Sequence, residues 1–155
     1  MSVGRIPPDT EPGWSRLVEA MTALGNYGER IGARVALQTA DVGPRDLQRL
    51  ISALPQHSVG VDLQPSGLIK GGHSPAEAVE TLGLHVLHVH ACDAVRDLAT
   101  REAVEVELGR GSADIPDLLG RLTEFNYRGW VTIERRETSD PIPDIENAVQ
   151  FLRSL

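Results

Sequence analysis

The sequence predicts an α/β protein in which helices cover a parallel β-sheet. Its 155 residues are enough for one ordinary domain. Apolar residues recur in some segments at the three- and four-residue spacing of an amphipathic helix and in others as short β-forming runs, and the two patterns alternate. Such alternation is typical of parallel strands joined by right-handed helical crossovers. We therefore predict a single domain over residues 1–155, built from one helix followed by four strand–helix units.

The first half of the chain supplies two helices and two strands. Three prolines within residues 4–13 favour a loop there. From Trp14 an apolar stripe at helical spacing predicts a helix that ends at Gly32. Pro44 opens the next helix and Pro55 ends it. The two predicted strands lie on either side of this second helix, at residues 34–39 and 58–64.

The second half contains two further strand–helix units. Residues 66–73 include three glycines and are predicted to form a loop. Ser74 then caps a helix that has Pro75 at its first position and Glu77 at the capping-box position. The His85–Ala94 stretch is a predicted buried strand, because apolar β-formers occupy its centre. The remaining predicted elements are a short strand at 104–108, a helix at 114–125, a strand at 130–134 and a helix at 145–155.

Each of the four main strands carries a polar side chain near its carboxyl end. Parallel α/β folds bring these ends together at one mouth, and they place their chemistry there. Side chains alternate along a strand, so His88, His90 and Cys92 are predicted to share one face of theirs. The four side chains that we expect to converge are Gln38, Gln64, His90 and Glu134.

Composition excludes several kinds of partner. The net charge is −7, from 15 basic and 22 acidic residues, which argues against a nucleic-acid-binding surface. The start of the chain has no apolar signal region, and no stretch is long enough and apolar enough to span a membrane. Cys92 is the only cysteine, so no intrachain disulfide can form, which suits a reducing compartment. We expect a cytoplasmic protein with no nucleic-acid or membrane partner.

Five short segments occur in an order and spacing that resemble one family. The resemblance is to the sugar phosphate isomerase/epimerase family, the xylose isomerase-like group of TIM barrels. It covers nearly the whole chain but only the second half of the barrel, so it implies a parallel (β/α) half-barrel equivalent to strands five to eight, preceded by one helix. The segments are residues 32–39 (GARVALQT), 59–65 (VGVDLQP), 88–93 (HVHACD), 107–111 (ELGRG) and 127–134 (YRGWVTIE).

The resemblance implies a metal-assisted reaction at the barrel mouth. Members of the family hold a divalent metal, such as manganese, magnesium or zinc, with carboxylates from strands five, six and eight and a histidine from strand seven. The metal polarises the carbonyl and hydroxyl of a ketose or aldose, and the carboxylates of strands five and eight move a proton between adjacent carbons. The matching residues of this chain are Gln38, Gln64, His90 and Glu134, so the resemblance implies that His90 and Glu134 are catalytic residues and metal ligands.

The chain departs from the family's pattern where charge matters most. Gln38 and Gln64 replace carboxylates, Gly67 replaces a histidine and Cys92 replaces a lysine that is common in the family. A glutamine carbonyl offers a dipole in place of the anionic oxygen that a hard cation prefers, and an amide cannot act as a general base at neutral pH. Two hypotheses follow: a sugar or sugar phosphate isomerase or epimerase whose chemistry is weakened or lost, and a non-catalytic pseudoenzyme that binds a ligand or a protein.

Several residues have two interpretations. Asp62 lies on the face of Gln64 but about 6.6 Å deeper, at about 3.3 Å per residue, and we expect it to contact a different group and not to ligate the metal. His85 and His88 are expected to be structural, and His90 could instead bond Glu134. Cys92 is expected to be a small buried thiol. Gln38, Gln64, Arg110 and Arg136 are candidate substrate contacts. Arg110 could instead belong to a tight turn, and Arg136 could instead belong to a salt-bridged rim.

Half a barrel would expose two sheet edges and an inner face, and exposed edges pair with other chains. We therefore expect a homodimer or a partner that supplies strands one to four, unless the chain is a fragment of a longer protein. The DNA endonuclease branch of the same fold is disfavoured, because it needs more histidine and carboxylate ligands and a phosphate-tracking surface.

Overall fold

The computed structural model describes residues 1–40, 42–97, 99–100 and 102–155. No helix within these ranges has both the length and the apolar composition needed to cross a membrane. The helices are α1 (Pro12–Ile31), α2 (Pro44–Ser52), α3 (Pro65–Gly71), α4 (Pro75–Leu82), α5 (Ile115–Glu124) and α6 (Pro141–Arg153). The strands are β1 (Val35–Gln38), β2 (Val59–Leu63), β3 (Val86–Ala91), β4 (Asp93–Arg96), β5 (Ala103–Val106) and β6 (Trp130–Ile133).

The main sheet has the strand order β1-β2-β3-β6, and every neighbouring pair is parallel. This confirms the predicted α/β class with a parallel sheet. At one edge the Met1 amino group donates to the Ala36 carbonyl at 2.7 Å, and the Gln38 N–H donates to the Met1 carbonyl at 2.8 Å, which is the pattern of a parallel pair. β6 forms the other edge, where β3 is its only neighbour among the described strands.

The helix-facing side of the sheet is apolar and forms the core. Leu37, Val61 and Leu63 are completely buried there. Burial of each such leucine stabilises the fold by about 1.5–3 kcal/mol relative to exposure. This side of the sheet packs in one cluster with buried leucines of α2, α4 and α5, which are Leu47, Leu50, Leu82, Leu118 and Leu122. The core therefore fixes which side of each strand is left for polar groups.

The other side of the sheet, called the open face below, carries most of the polar side chains of the strands together with one exposed tryptophan. Residues that pair in parallel strands lie side by side and point the same way. Pairing joins Gln38 to Asp62, Asp62 to His88, and His88 to Trp130, so these four form one row across the sheet. Trp130 is 82% exposed in this row. The open face comprises Gln38, Asp62, His88, His90, Trp130 and Thr132.

One irregularity in the pairing of β2 with β3 decides which β3 side chains reach the open face. Val61 pairs with Val86 and Asp62 pairs with His88, so Leu87 is an extra residue. Leu87 lies over Gly60, where a Cβ would overlap its side chain. The bulge thereby brings His88 beside Asp62, and the prediction that His88 and His90 share a face is confirmed.

The predicted loop at residues 66–73 is wrong, because α3 occupies Pro65–Gly71. Pro65 starts this short helix, and Gly72 ends it with a left-handed φ of 80°. Leu68 and Ile69 are buried beneath it, which outweighs the low helix propensity of its glycines. The last helix also begins earlier than predicted, at Pro141.

A β-hairpin follows β3, where the sequence predicted one short strand in a long connection. β4 and β5 pair antiparallel, from Asp93 opposite Val106 to Arg96 opposite Ala103. The predicted connection spans residues 92–111, of which 98 and 101 lie outside the described residues. The β4 strand was missed because its residues continue directly from β3 without a turn signal.

Asp93 fastens the hairpin and the following turn to the end of β3. Its carboxylate is 1% exposed and accepts backbone N–H groups from four residues: Ala94, Gly109, Gly111 and Ala113. Gly111 approaches so closely that a Cβ would overlap the Asp93 carboxylate. The Gly109 and Gly111 N–H groups are thus bonded to Asp93, which supports the tight-turn interpretation of this segment.

We expect the substitution Asp93→Ala to lower the free energy of unfolding by roughly 3 kcal/mol or more, because it leaves several buried donors without an acceptor. Urea unfolding followed by circular dichroism would measure the loss. Asp140→Ala is the matched control, because Asp140 is exposed and makes no capping bond through its side chain, and it should change the value by less than about 0.5 kcal/mol. Equal effects of the two substitutions would contradict the anchoring role of Asp93.

Candidate active site

Gln64 and Glu134 meet at the carboxyl ends of β2 and β6. The Gln64 Nε2 donates to Glu134 Oε2 at 2.7 Å, and Gln64 is 4% exposed. Its backbone N–H donates to Thr39 Oγ1 at 2.9 Å, which ties the end of β2 to the end of β1. Two residues that are 70 positions apart in the sequence are therefore joined as the strand-end argument predicts.

Arg136 occupies the other oxygen of the Glu134 carboxylate. Its Nε and Nη2 donate to Glu134 Oε1 at 2.9 and 2.7 Å. These hydrogen bonds are the main reason why the pKa of Arg136 lies above its usual value. Both oxygens of Glu134 thus carry donors, and its charge is balanced by a guanidinium group that is itself 59% exposed.

Asp62 joins the two histidines of β3. Its Oδ1 lies 2.8 Å from His88 Nδ1 and 2.9 Å from His90 Nδ1. Gln64 contacts Glu134 and Asp62 contacts the two histidines, so these two side chains face different groups. The sequence did not predict that His90 would be one of the contacts of Asp62. The reason is the stagger between neighbouring strands, which brings the Asp62 side chain within reach of both the row of His88 and the next row, where His90 pairs with Thr132.

The ring of His88 is held from both sides. Its Nε2 lies 2.8 Å from Thr132 Oγ1, opposite the Nδ1 contact with Asp62. The two imidazole rings lie edge to face, with centroids 4.6 Å apart and planes at 75°. The Asp62 side chain is 9% exposed, against 28% for His88 and 19% for His90. A buried carboxylate therefore lies beneath two imidazoles that solvent reaches from the open face.

The structure joins some of the predicted site residues by hydrogen bonds and leaves others apart. Gln64, Glu134 and Arg136 are bonded to one another, and His90 is bonded to Asp62. Gln38 lies in the row of Asp62, but in the described part of the chain no hydrogen bond joins its side chain to the other predicted site residues. Its role as a substrate contact stays a prediction.

Arg110 lies apart from this group. It is exposed and lines a surface cleft with Asn147 and Gln150 of α6. Within the described ranges no hydrogen bond connects its side chain with Gln64 or Glu134. Its predicted contact with a substrate phosphate also stays a prediction.

Sequence reasoning missed the link between Asp62 and the histidines. Asp62 was placed on the correct face, but strand stagger and the β3 bulge are properties of pairing that no local pattern encodes. The signal that the sequence offered was alternation, which places Asp62 on the polar face of one predicted strand and His88 and His90 together on one face of the next. His85, by contrast, is exposed near the start of β3 and lies outside the cluster.

Cys92 is a buried thiol, as predicted. It is 2% exposed and accepts a hydrogen bond from the Ser66 hydroxyl at 3.0 Å. Burial raises the pKa of the Cys92 thiol to about 11, which outweighs the lowering by the bond from Ser66. At neutral pH it is therefore protonated and unsuited to act as a nucleophile.

Comparison with known proteins agrees with the geometry. Residues 2–155 match the family described as "Xylose isomerase-like TIM barrel". The chain is 22% identical over 158 residues to an inosose dehydratase of Clostridium botulinum, which covers 91% of this chain and 52% of that protein. It superposes with a TM-score of 0.88 and 26% identity on a xylose isomerase domain protein from Planctomyces limnophilus, over 99% of this chain and 56% of that one.

A second solved structure shows the same fold with an ion bound. It is a xylose isomerase-like TIM barrel protein from Mycobacterium smegmatis in complex with magnesium, with a TM-score of 0.76 and 18% identity over 97% of this chain and 52% of that one. The chain thus spans about half the length of the proteins it matches. Its four parallel strands and their helices form a half-barrel.

We expect Cys92 to resist alkylation by iodoacetamide in the folded protein at pH 8. With a pKa of about 11, against about 8.5 for an exposed thiol, ionisation alone slows the reaction by on the order of a hundredfold. Reactivity should rise as the pH approaches 11 and on unfolding in urea. Because Cys92 is the only cysteine, mass spectrometry of the intact chain reports this one site. Rapid alkylation of the native protein would contradict the buried position.

Proposed function

Because the chain belongs to the xylose isomerase-like TIM barrel family, we propose that its open face is one half of a cleft that binds a sugar or sugar phosphate and moves a proton on the carbon next to the carbonyl. The observation that carries the proposal is the contact of Gln64 with Glu134 at the strand ends. It lies at the carboxyl ends of parallel strands, where barrel enzymes of this kind hold their reacting groups.

Glu134 is the residue that would carry the proton. It is the carboxylate among the four strand-end positions, and a carboxylate can accept a proton from carbon and return it to the neighbouring carbon. Arg136 donates to its Oε1 through Nε and Nη2 and so holds the carboxylate in a fixed orientation. Because both oxygens are bonded in this structure, a substrate would have to displace either the Gln64 amide or the exposed guanidinium.

Three further side chains would hold the substrate. Gln38 and Gln64 offer amide groups to sugar hydroxyls, and His90 offers an imidazole whose orientation is fixed by Asp62. Amides and imidazoles bind polyols through paired donor and acceptor contacts. The proposed substrate is therefore a polyhydroxylated carbonyl compound, and its hydroxyls would take the place of water on the open face.

In this family a divalent metal such as manganese, magnesium or zinc would polarise the substrate carbonyl when bound. The residues at the matching positions do not fit such an ion. They comprise two amides, a carboxylate neutralised by Arg136 and an imidazole bonded to Asp62. Hard cations are held mainly by anionic oxygens, so these four positions do not suit a metal of this kind.

A second candidate function is a non-catalytic one. The mutual bonding of Gln64, Glu134 and Arg136 leaves no carboxylate oxygen without a donor. This observation favours a pseudoenzyme that binds a polyol-like ligand or a protein at the old barrel mouth.

Proton exchange would distinguish the two functions. We expect the protein to exchange the hydrogen next to the carbonyl of fructose or fructose 6-phosphate with deuterium oxide, as followed by proton NMR. Glu134→Gln should slow the exchange by about a hundredfold or more, because it removes the base. Glu146→Gln is the matched control, since Glu146 is an exposed carboxylate on α6. Wild-type exchange that survives in Glu134→Gln would contradict the role of Glu134, and binding without exchange would favour the pseudoenzyme.

We also propose that another half-barrel covers the open face, supplied by a second copy of the chain or by a polypeptide with strands one to four. Parallel sheets are normally covered on both faces, and β6 has an unpaired edge among the described strands. Trp130 is 82% exposed on the open face, and a monomer would keep this large apolar side chain in contact with water.

We expect the purified chain, with a monomer mass of 16.8 kDa, to elute as a dimer or larger in size-exclusion chromatography with light scattering. Trp130→Glu should shift it towards the monomer, because the substitution places a charge in the covered face. Leu84→Glu is the control, since Leu84 is similarly exposed but lies in the turn before β3 and is not one of the open-face residues. A stable monomer at all concentrations would refute self-association.

A further inference from the structure

Three potential metal ligands converge on the open face. One lies on β2, two residues before Gln64, and the other two lie on β3. They are Asp62, His88 and His90, and their ligating atoms all lie within 4.8 Å of one another. We propose that these three side chains bind one divalent transition-metal ion of the zinc type, in a site that shares only His90 with the four strand-end positions of the family. The inference rests on the proposed function, because the ion would serve the same cleft.

The geometry is close to that of a three-ligand metal centre. Both Nδ1 atoms already face the same Asp62 oxygen, at 2.8 and 2.9 Å. Zinc lies about 2.0–2.2 Å from nitrogen and carboxylate ligands, so ligand atoms in a tetrahedral site are about 3.4 Å apart. Each Nδ1 would need to move only about half an ångström away from the Asp62 oxygen to admit an ion between them. One or more positions would remain open towards solvent, as in metal sites that bind a substrate oxygen.

The donor set also selects the kind of ion. Two imidazoles and one carboxylate suit zinc, cobalt or iron, whereas magnesium and calcium prefer oxygen ligands. The strand-end positions are less suited to a cation, because the negative charge of Glu134 is balanced there by the Arg136 guanidinium group. Within the described part of the chain, two imidazoles meet a carboxylate that is not paired with a guanidinium group at Asp62, His88 and His90.

The surroundings of the cluster support its use as a metal site. Ligation through Nδ1 would leave a proton on His88 Nε2, and Thr132 Oγ1 lies 2.8 Å away to accept it. Such an outer partner fixes the ring and strengthens the ligand. The side chains of His88 and His90 are 28% and 19% exposed, which gives the ion a path from the open face. The Asp62 side chain, at 9% exposure, places its negative charge where water competes little for the ion.

Titration of the untagged, metal-stripped protein with Zn²⁺ alone tests the inference. Isothermal titration calorimetry gives the stoichiometry and affinity, and visible absorption of added Co²⁺ reports nitrogen ligands. We expect one ion per chain. Asp62→Asn and His88→Gln should each weaken binding at least about tenfold, and Thr132→Val should weaken it by about ten- to a hundredfold because it removes the outer partner of His88.

Two controls locate the site. His85→Gln removes an exposed histidine of the same segment. It should change the affinity for Zn²⁺ by less than about twofold, well below the effect of losing a ligand or its outer partner. Glu134→Gln removes the strand-end carboxylate and should also leave it unchanged. Absence of stoichiometric binding, binding that survives both Asp62→Asn and His88→Gln, or an equal loss in Glu134→Gln would overturn the inference. If Asp62→Asn fails to fold, His88→Gln and Thr132→Val still decide it.

The titration contains no sugar, so its failure is distinguishable from failure of the exchange assay. Metal binding without exchange would keep the site and refute the proton transfer. Exchange without metal binding would support the proton transfer and refute the metal site. The two proposals therefore stand or fall on separate measurements.

Discussion

The extra residue in β3 is the constraint on which the open face depends. If β3 paired regularly after Val86, Leu87 would lie beside Asp62, and both histidines would point into the leucine-rich core. Two imidazoles buried without partners would be strongly unfavourable there. The bulge avoids this, and it requires a glycine at position 60 because Leu87 fills the space above it. The identity of Gly60 and the direction of the histidines are thus linked by one packing requirement.

Hydrogen bonding divides the open face into two units with different electrostatics. In the first, the Gln64 amide donates to Glu134 and Arg136 balances the charge. A carboxylate at position 64 would lie next to Glu134 and repel it unless a cation stood between them. The amide is therefore compatible with Glu134 without an ion at that point. In the second unit, one buried carboxylate accepts from two imidazoles, which leaves negative charge where a cation can approach from the open face.

Much of this arrangement could be predicted from the sequence, and the failures have physical causes. The alternation of periodicities predicted the parallel sheet, and Gln64 meets Glu134 because strand ends must meet at one edge. The α3 helix was missed because three glycines outweighed the buried pair Leu68 and Ile69 in a local pattern. The contact of Asp62 with His90 depends on stagger and a bulge, which arise from pairing between strands and leave no mark in either strand alone.

Association of the half-barrel with the proposed partner would affect the chemistry of the cluster formed by Asp62, His88 and His90. Trp130 lies in the same row as Asp62 and His88, so a partner that covers Trp130 also reduces the water around the carboxylate and the two imidazoles. A lower local dielectric strengthens the attraction between the Asp62 charge and any cation held there. A ligand that binds only the covered form stabilises that form by mass action. Occupancy of the cluster and association of the half-barrel are therefore expected to reinforce each other, and each measured affinity should depend on the concentration of the other component.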